Sequence, residues 1–291
     1  MRICQLAGGV LALLLGSSSA IAQTVDRAAG SAQTAPGDPA VAPPPAAAQG
    51  ADAAEAAEAN RAADDKKWKF YTLGYIWLGT AKGETDVIGP LQPVDVDLSL
   101  GDVIDGFKFI FMGAAEARKD RFVILGDLSF VHLGVDQGIG IRDPDFLEAE
   151  LDSRTAEITL LGGYRVINGS NGTLDLLAGG RMNFFKTTLQ LEGPNRSAEG
   201  SAKEQWLDPL IAARAKVPIG GKWGLSLYGD VGGVVFGSDA TWQGLATVDY
   251  QISRKLNVGV GWRHWKVNYD HGDFLYNVTQ SGPIIAFRSQ L

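Results

Sequence analysis

From about Trp68 to Leu291 the chain consists of stretches in which apolar and polar residues alternate, joined by connections that are short and long in turn. Leu256-Asn257-Val258-Gly259-Val260-Gly261-Trp262-Arg263 shows the alternation, and Ser253-Arg254-Lys255 just before it is one of the short joins. A period of two sends successive side chains to opposite faces of a strand, so each stretch has one apolar and one polar face. Joins of two lengths place the two ends of the hairpins in different environments. Together these features predict an all-β chain, an antiparallel up-and-down transmembrane β-barrel of the outer-membrane kind.

The pattern predicts about ten strands, with eight or twelve as alternatives, at roughly 68–82, 105–118, 121–135, 153–166, 173–191, 204–218, 222–235, 241–252, 256–269 and 279–291. The tight joins are Lys119-Asp120, Asn168-Gly169-Ser170-Asn171-Gly172, Ile219-Gly220-Gly221 and Ser253-Arg254-Lys255. The first three carry the Gly, Asn and Asp that tight hairpins need for positive φ. The longer joins, at about 83–104, 136–152, 192–203, 236–240 and 270–278, would face outside, with the tight turns in the periplasm.

The first 66 residues belong to another regime. Arg2, the apolar run Leu6 to Leu15 and Ala20-Ile21-Ala22 read as a secretory signal over residues 1–22. Residues 23–66 are Ala- and Pro-rich and read as a disordered periplasmic linker, leaving 67–291 for the barrel. A tether would find its partner in peptidoglycan or a periplasmic protein; composition favours a plain spacer. The one cysteine, Cys4, falls inside the signal, so the exported chain has no thiol for disulfide, metal or nucleophile. A net charge of −7 speaks against nucleic acid as a partner. After the signal no apolar stretch reaches spanning-helix length. The partners expected are outer-membrane lipids and, during biogenesis, the barrel-assembly machinery.

Parity assigns the faces, because a slip of one residue inverts every side chain. Trp223, Leu225, Leu227 and Val231 oppose Ser226, Tyr228 and Asp230; Phe107, Phe109 and Phe111 oppose Lys108, Glu116 and Arg118. Trp223, Tyr250, Tyr164, Phe122 and Phe287 share the apolar faces, several near strand ends where headgroup-level girdles belong. The first strand leaves both assignments open, since Tyr71, Leu73, Tyr75 and Trp77 oppose Phe70, Thr72, Gly74 and Ile76.

The inward set is a charge network. Its acids are Glu116, Asp127, Glu157, Asp175, Asp208, Asp230 and Asp249; its bases are Lys108, Arg118, Arg165, Arg181, Arg214, Lys216, Arg263 and Arg288. The signs nearly balance, and in a barrel this narrow opposed charges meet and fill the lumen. Balance favours a plug over the charge rings of a selective pore, leaving the long loops and outer mouth to hold any ligand.

No catalytic constellation is predicted. His132 and His264 share parity with lipid-facing residues, and His271 lies in the loop Tyr269-Asp270-His271-Gly272-Asp273. A His/Asp base there competes with a solvated loop tip, the reading that sequence adjacency alone supports. Asp143-Pro144-Asp145, Asp95-Val96-Asp97 and Asp270 with Asp273 lack the spacing of a calcium loop, so neither metal nor cofactor is expected.

Several segments resemble a family of proteobacterial outer-membrane β-barrel proteins to which no activity is attached. They are Tyr75-Ile76-Trp77, Met112-Gly113-Ala114-Ala115-Glu116-Ala117-Arg118, Trp206-Leu207-Asp208-Pro209-Leu210, Gly229-Asp230-Val231-Gly232-Gly233, Gly237-Ser238-Asp239-Ala240-Thr241-Trp242-Gln243, Gly261-Trp262-Arg263 with Asn268-Tyr269-Asp270, and Gly282-Pro283-Ile284-Ile285-Ala286-Phe287-Arg288. The resemblance covers most of 68–291. It implies a Gram-negative outer-membrane barrel reached through the signal, and no enzymatic activity. Such barrels usually end on an aromatic residue; here Leu291 holds that place. The function expected is structural, interaction or narrow transport, with a small diffusion channel or a lipid- or peptide-modifying rim enzyme as alternatives.

Overall fold

The computed structural model describes residues 67–85, 94–135, 139–140, 148–195, 197–272 and 274–291. The expected signal, linker and Asp143-Pro144-Asp145 lie outside these. In chain order the elements are β1 (Lys69–Trp77), β2 (Thr80–Thr85), β3 (Val94–Leu98), α1 (Leu100–Gly106), β4 (Phe107–Lys119), β5 (Phe122–Val135) and β6 (Ile139–Gly140). There follow β7 (Glu148–Gly169), β8 (Gly172–Glu192), β9 (Ser197–Gly220), β10 (Trp223–Gly232), β11 (Ala240–Gln251), β12 (Leu256–His271) and β13 (Phe274–Gln290).

Ten of these strands form the wall. Each of β1, β4, β5 and β7 to β13 pairs antiparallel with the next, and β13 pairs back onto β1 from Tyr71↔Gln290 to Trp77↔Ile284. The closed ten-stranded antiparallel barrel leaves no open wall edge, the condition for crossing lipid with strands. The tight turns at one end stand where the glycines and asparagines predicted them; Asp120 takes a positive φ of 51° and Gly221 one of 57°.

The other end differs from expectation. The 83–104 join contains the end of β2, β3 and α1. Val96 and Leu98 turn inward, and Ser99 and Asp102 form a reciprocal capping box that starts α1. The joins expected at 192–203 and 270–278 are mostly strand: β8 and β9 run 21 and 24 residues, and β12 and β13 pair as far as His271↔Phe274. Spanning needs only about 9–11 residues per strand, so these hairpins rise beyond the membrane. Pairing persists because inward apolar side chains, Leu189 and Leu191 on one hairpin and Tyr269, Phe274 and Tyr276 on the other, remain buried there.

The outer surface is apolar. Phe111, Phe122, Leu160, Leu176, Ile211, Trp223, Val260 and Phe287 are all exposed. Phe122 meets Tyr164 edge-on at 5.3 Å, and Trp223 meets Tyr250 at 4.8 Å, both beside tight turns. The structure resolves the first strand: Tyr71, Leu73, Tyr75 and Trp77 face the lumen, and Phe70 and Ile76 face out.

One assignment is corrected. A register shift between Phe107 and Phe109 turns Phe107 inward against the cluster around Val103 and Val135, and turns Lys108 outward. The bulge breaks the parity that had placed Lys108 in the lumen and Phe107 toward lipid.

Candidate functional site

The lumen is stratified. Nearest the tight turns, β4, β7, β8, β9 and β13 bring Glu116, Arg118, Arg165, Asp175, Arg214 and Arg288 into one cluster. The Asp175 carboxylate accepts from Arg165 Nε at 2.8 Å, from Arg118 Nη2 at 2.9 Å and from Arg214 Nη2 at 2.9 Å. Glu116 accepts from Arg214 Nη1 at 2.6 Å, from Arg118 Nε at 3.1 Å and from Arg288 Nη2 at 3.3 Å. Arg288 also lies 3.8 Å from the Tyr71 ring centroid. Lys216, on the same wall, has no ion-pair partner among the described residues.

Above this cluster lies a second charged layer. Arg181 Nη2 donates to Asp230 Oδ2 at 2.7 Å, with both side chains essentially unexposed. Tyr228 Oη and Gln243 Nε2 donate to the same carboxylate oxygen. Arg263 Nε donates to Gln243 Oε1 at 2.9 Å; its guanidinium lies 3.8 Å from Glu157 and 4.3 Å from the Trp77 ring centroid. Tyr75 Oη donates to Asp127 at 3.0 Å.

Not every expected charge finds an opposite. Asp208 is fully buried yet, among the described residues, accepts from neutral donors: Asn183 Nδ2, Trp206 Nε1, and the amide and hydroxyl of Ser238. It anchors the connection 233–239 to β9, where Gly237, at φ 88°, passes so close to the Leu207 carbonyl that a Cβ would not fit. Asp249 likewise accepts from the hydroxyls of Ser226 and Thr247.

The outer half of the lumen is aromatic. Trp77, Phe185, Trp206, Trp265, Tyr269, Phe274 and Tyr276 form one buried cluster, with Trp206 stacked on Tyr269 at 4.4 Å. Among the described residues the mouth expected to hold a ligand is largely filled, keeping a cavity of about 110 Å³ between Trp77, Phe185 and Tyr276 on one side and Val96, Leu98 and Val103 on the other; the larger space lies at the opposite end. A cavity of about 680 Å³ opens among the tight turns and reaches up to Asp127 and Arg263. Glu116, Arg118, Arg165, Arg214, Lys216 and Arg288 line one wall, and Ser226, Thr247 and Asp249 the other. Against Glu116 and Asp175, the basic wall sets five cations, so the balance read from the sequence is a sum over layers and not a local neutrality. The aromatic seal escaped the sequence reading, although Trp206 and Trp265 share parity with Asp208 and Arg263.

The histidines lie elsewhere. His264 stacks on Trp242 at 4.9 Å on the outer face, and His271 lies tilted against Tyr269 at 4.8 Å. Asp273 is outside the described residues. His132 Nε2 lies 2.9 Å from Asp152, which also takes Lys108 Nζ at 2.7 Å; both are beyond the outward apolar band. Partial burial alone would raise the Asp152 carboxyl, but the bonds from Lys108 and His132 outweigh it and hold the group below the usual carboxylate range. Its stabilising contribution is present above the unfolded-state value of about 3.9 and is lost as pH falls through the lowered folded value. An NMR titration of the Asp152 carboxyl carbon is expected to have its midpoint below that of an unfolded-chain aspartate; a midpoint at or above it would discount the bonds.

Neither a protein-family model nor a curated protein sequence matches the chain. Among solved structures, the outer membrane protease OmpT from Escherichia coli superposes with a TM-score of 0.51 at 12% identity, over 78% of this chain and 97% of that one. The translocator domain of the autotransporter NalP from Neisseria meningitidis gives 0.39 at 12% identity, over 83% and 98%. Neisserial surface protein A gives 0.30 at 12% identity, over 76% and 97%. The fold is that of an outer-membrane β-barrel, and the resemblance seen in the sequence holds at that level, without a family match.

Proposed function

We propose that the chain is a Gram-negative outer-membrane barrel that does not conduct, exported through its N-terminal signal, with an interaction role exercised at the periplasm-facing chamber. The observation that carries this reading is the stratification of the lumen. Ion pairs and then an aromatic cluster occupy it above the chamber, with a cavity of only about 110 Å³ beside Trp77 and Tyr276, while the chamber beneath has a surplus of positive charge. A volume near 680 Å³ is in the range of small-ligand sites. Its uncompensated Lys216 and the arginine fork suit an anionic group, which arginine binds by paired hydrogen bonds.

A diffusion channel would need a continuous aqueous path, and Arg181, Asp230, Trp206 and Trp265 stand across it. A rim enzyme would need a base aimed at substrate, whereas His132 and His264 lie on the outer face and His271 lies tilted against the Tyr269 ring. Planar-bilayer recordings are expected to show no stable openings, and reproducible conductance steps would overturn the closed reading. Titration calorimetry with pyrophosphate is expected to show binding that Lys216→Gln with Arg288→Gln weakens about a hundredfold or more, given about 1.5–3 kcal/mol net for each charged hydrogen bond lost. No heat of binding in the native protein would remove the anion from the proposal.

A further inference from the structure

The outer face carries a charge pattern that the lumen does not explain. On β7 the outward side chains run Val166, Tyr164, Gly162, Leu160, Ile158 and Ala156 before meeting Arg154. Ten residue steps at about 3.3 Å, on a strand tilted by about 40°, rise roughly 25 Å, the height of the apolar band of an outer-membrane barrel. On β8 the outward run Leu174 to Phe184 ends at Lys186, and on β9 the run ends past Gln205 at Lys203. The bases meet across the sheet: His132 faces Arg154, Arg154 faces Lys186, and Lys186 faces Lys203.

Side chains directly opposite on antiparallel strands lie about 5 Å apart at Cβ, and like charges so placed repel. The local acid, Asp152, is taken by Lys108, His132 and Arg154. Among the described residues neither Lys186 nor Lys203 has an ion-pair partner. Three facing cations thus stand where the lipid-facing surface ends.

We propose that this row binds the phosphate groups of an outer-leaflet phospholipid or glycolipid, whose acyl chains lie on the apolar band below. The row continues the lipid-facing surface, and a phosphorylated amphiphile is the ligand class that satisfies both parts at once: apolar contact for the strand faces, anionic oxygens for the opposed cations. This rests on the membrane-barrel reading.

The full barrel in zwitterionic micelles is titrated with bisphosphorylated lipid A, with lipid A stripped of its phosphates, and with inorganic phosphate, following the thermal midpoint. Lipid A is expected to raise the midpoint, and the other two to leave it unchanged. Lys186→Gln with Lys203→Gln should weaken lipid A about 25-fold, roughly fivefold per lysine, and Lys186→Glu with Lys203→Glu should abolish the shift. An equal response to the phosphate-free amphiphile, or to inorganic phosphate, overturns the assignment, as does an undiminished response in the Glu variant. Heat-modifiable migration, measured on every variant, tests the barrel separately; its loss in the native protein defeats the reading beneath the proposal and not the lipid site alone.

Discussion

Replacing Asp175 with alanine is expected to destabilise the barrel by about 3–5 kcal/mol, the range for removing one partner from a buried charge pair. The side chain is 1% exposed and holds Arg118, Arg165 and Arg214 together. Without it Arg165 keeps only Asn168, at 3.4 Å, while Arg118 and Arg214 are left to share Glu116. The loss should appear as a lower urea midpoint at unchanged slope, in protein refolded into zwitterionic vesicles. Asp175→Asn should cost less, because its amide oxygen still accepts, and Asp175→Ala with Arg165→Ala should cost less than the sum. Pyrophosphate binding should move the other way, tightening as the chamber gains positive charge. A shift under about 1 kcal/mol would mean that the chamber hydrates the arginines well enough to make the cluster dispensable.

That cluster was largely legible in the sequence, and the reason is the period of two. Strict alternation fixes the inward residues of a strand whatever its neighbours do, so Glu116, Arg118, Asp175, Arg181, Arg214, Asp230 and Arg263 could be placed from parity alone. Parity fails where the backbone departs from the pleat. The shift at Phe107 exchanged Phe107 and Lys108 because a bulge inserts a residue without changing composition. Parity also says nothing about height or partner. Asp208 has the same inward sign as Asp175, yet one is held by neutral donors and the other by three arginines, because Asp208 on β9 meets Ser238 and Asn183 at its level whereas Asp175 on β8 meets arginines from β4, β7 and β9 at its own. The near-neutral count of inward charges hid their separation into layers for the same reason. The aromatic seal was not legible as a unit because parity puts Trp206 and Trp265 inward without giving their common height, and on β1, with two apolar faces, Trp77 could not be told from Ile76 without the closing pair to β13.

Opening the lumen is expected to require breaching both layers, because each excludes ions by a different mechanism. Arg181→Ala, Asp230→Ala and Arg263→Ala together remove the side chains that span the ionic layer, keeping Glu157 and Asp127 on its wall, but leave Trp206 packed with Tyr269 and Tyr276 above it. An apolar constriction blocks ions by dewetting even when no charge stands in it. Trp206→Ala alone breaches the aromatic layer and leaves the Arg181–Asp230 pair across the path. Neither variant should give stable steps in a planar bilayer, whereas the quadruple replacement should convert a silent barrel into one with reproducible conductance. Truncating a buried tryptophan costs about 3–5 kcal/mol, so heat-modifiable migration of each variant comes first, and currents count only for those that fold. Conductance from the ionic-layer variant alone would show that the aromatic cluster does not seal. Silence from a folded quadruple variant would place a third barrier in the lumen and contradict the two-layer account. The distinction bears on the proposed role: two intact layers would keep the barrel closed, and the chamber of about 680 Å³ would then open only toward the side on which the tight turns lie.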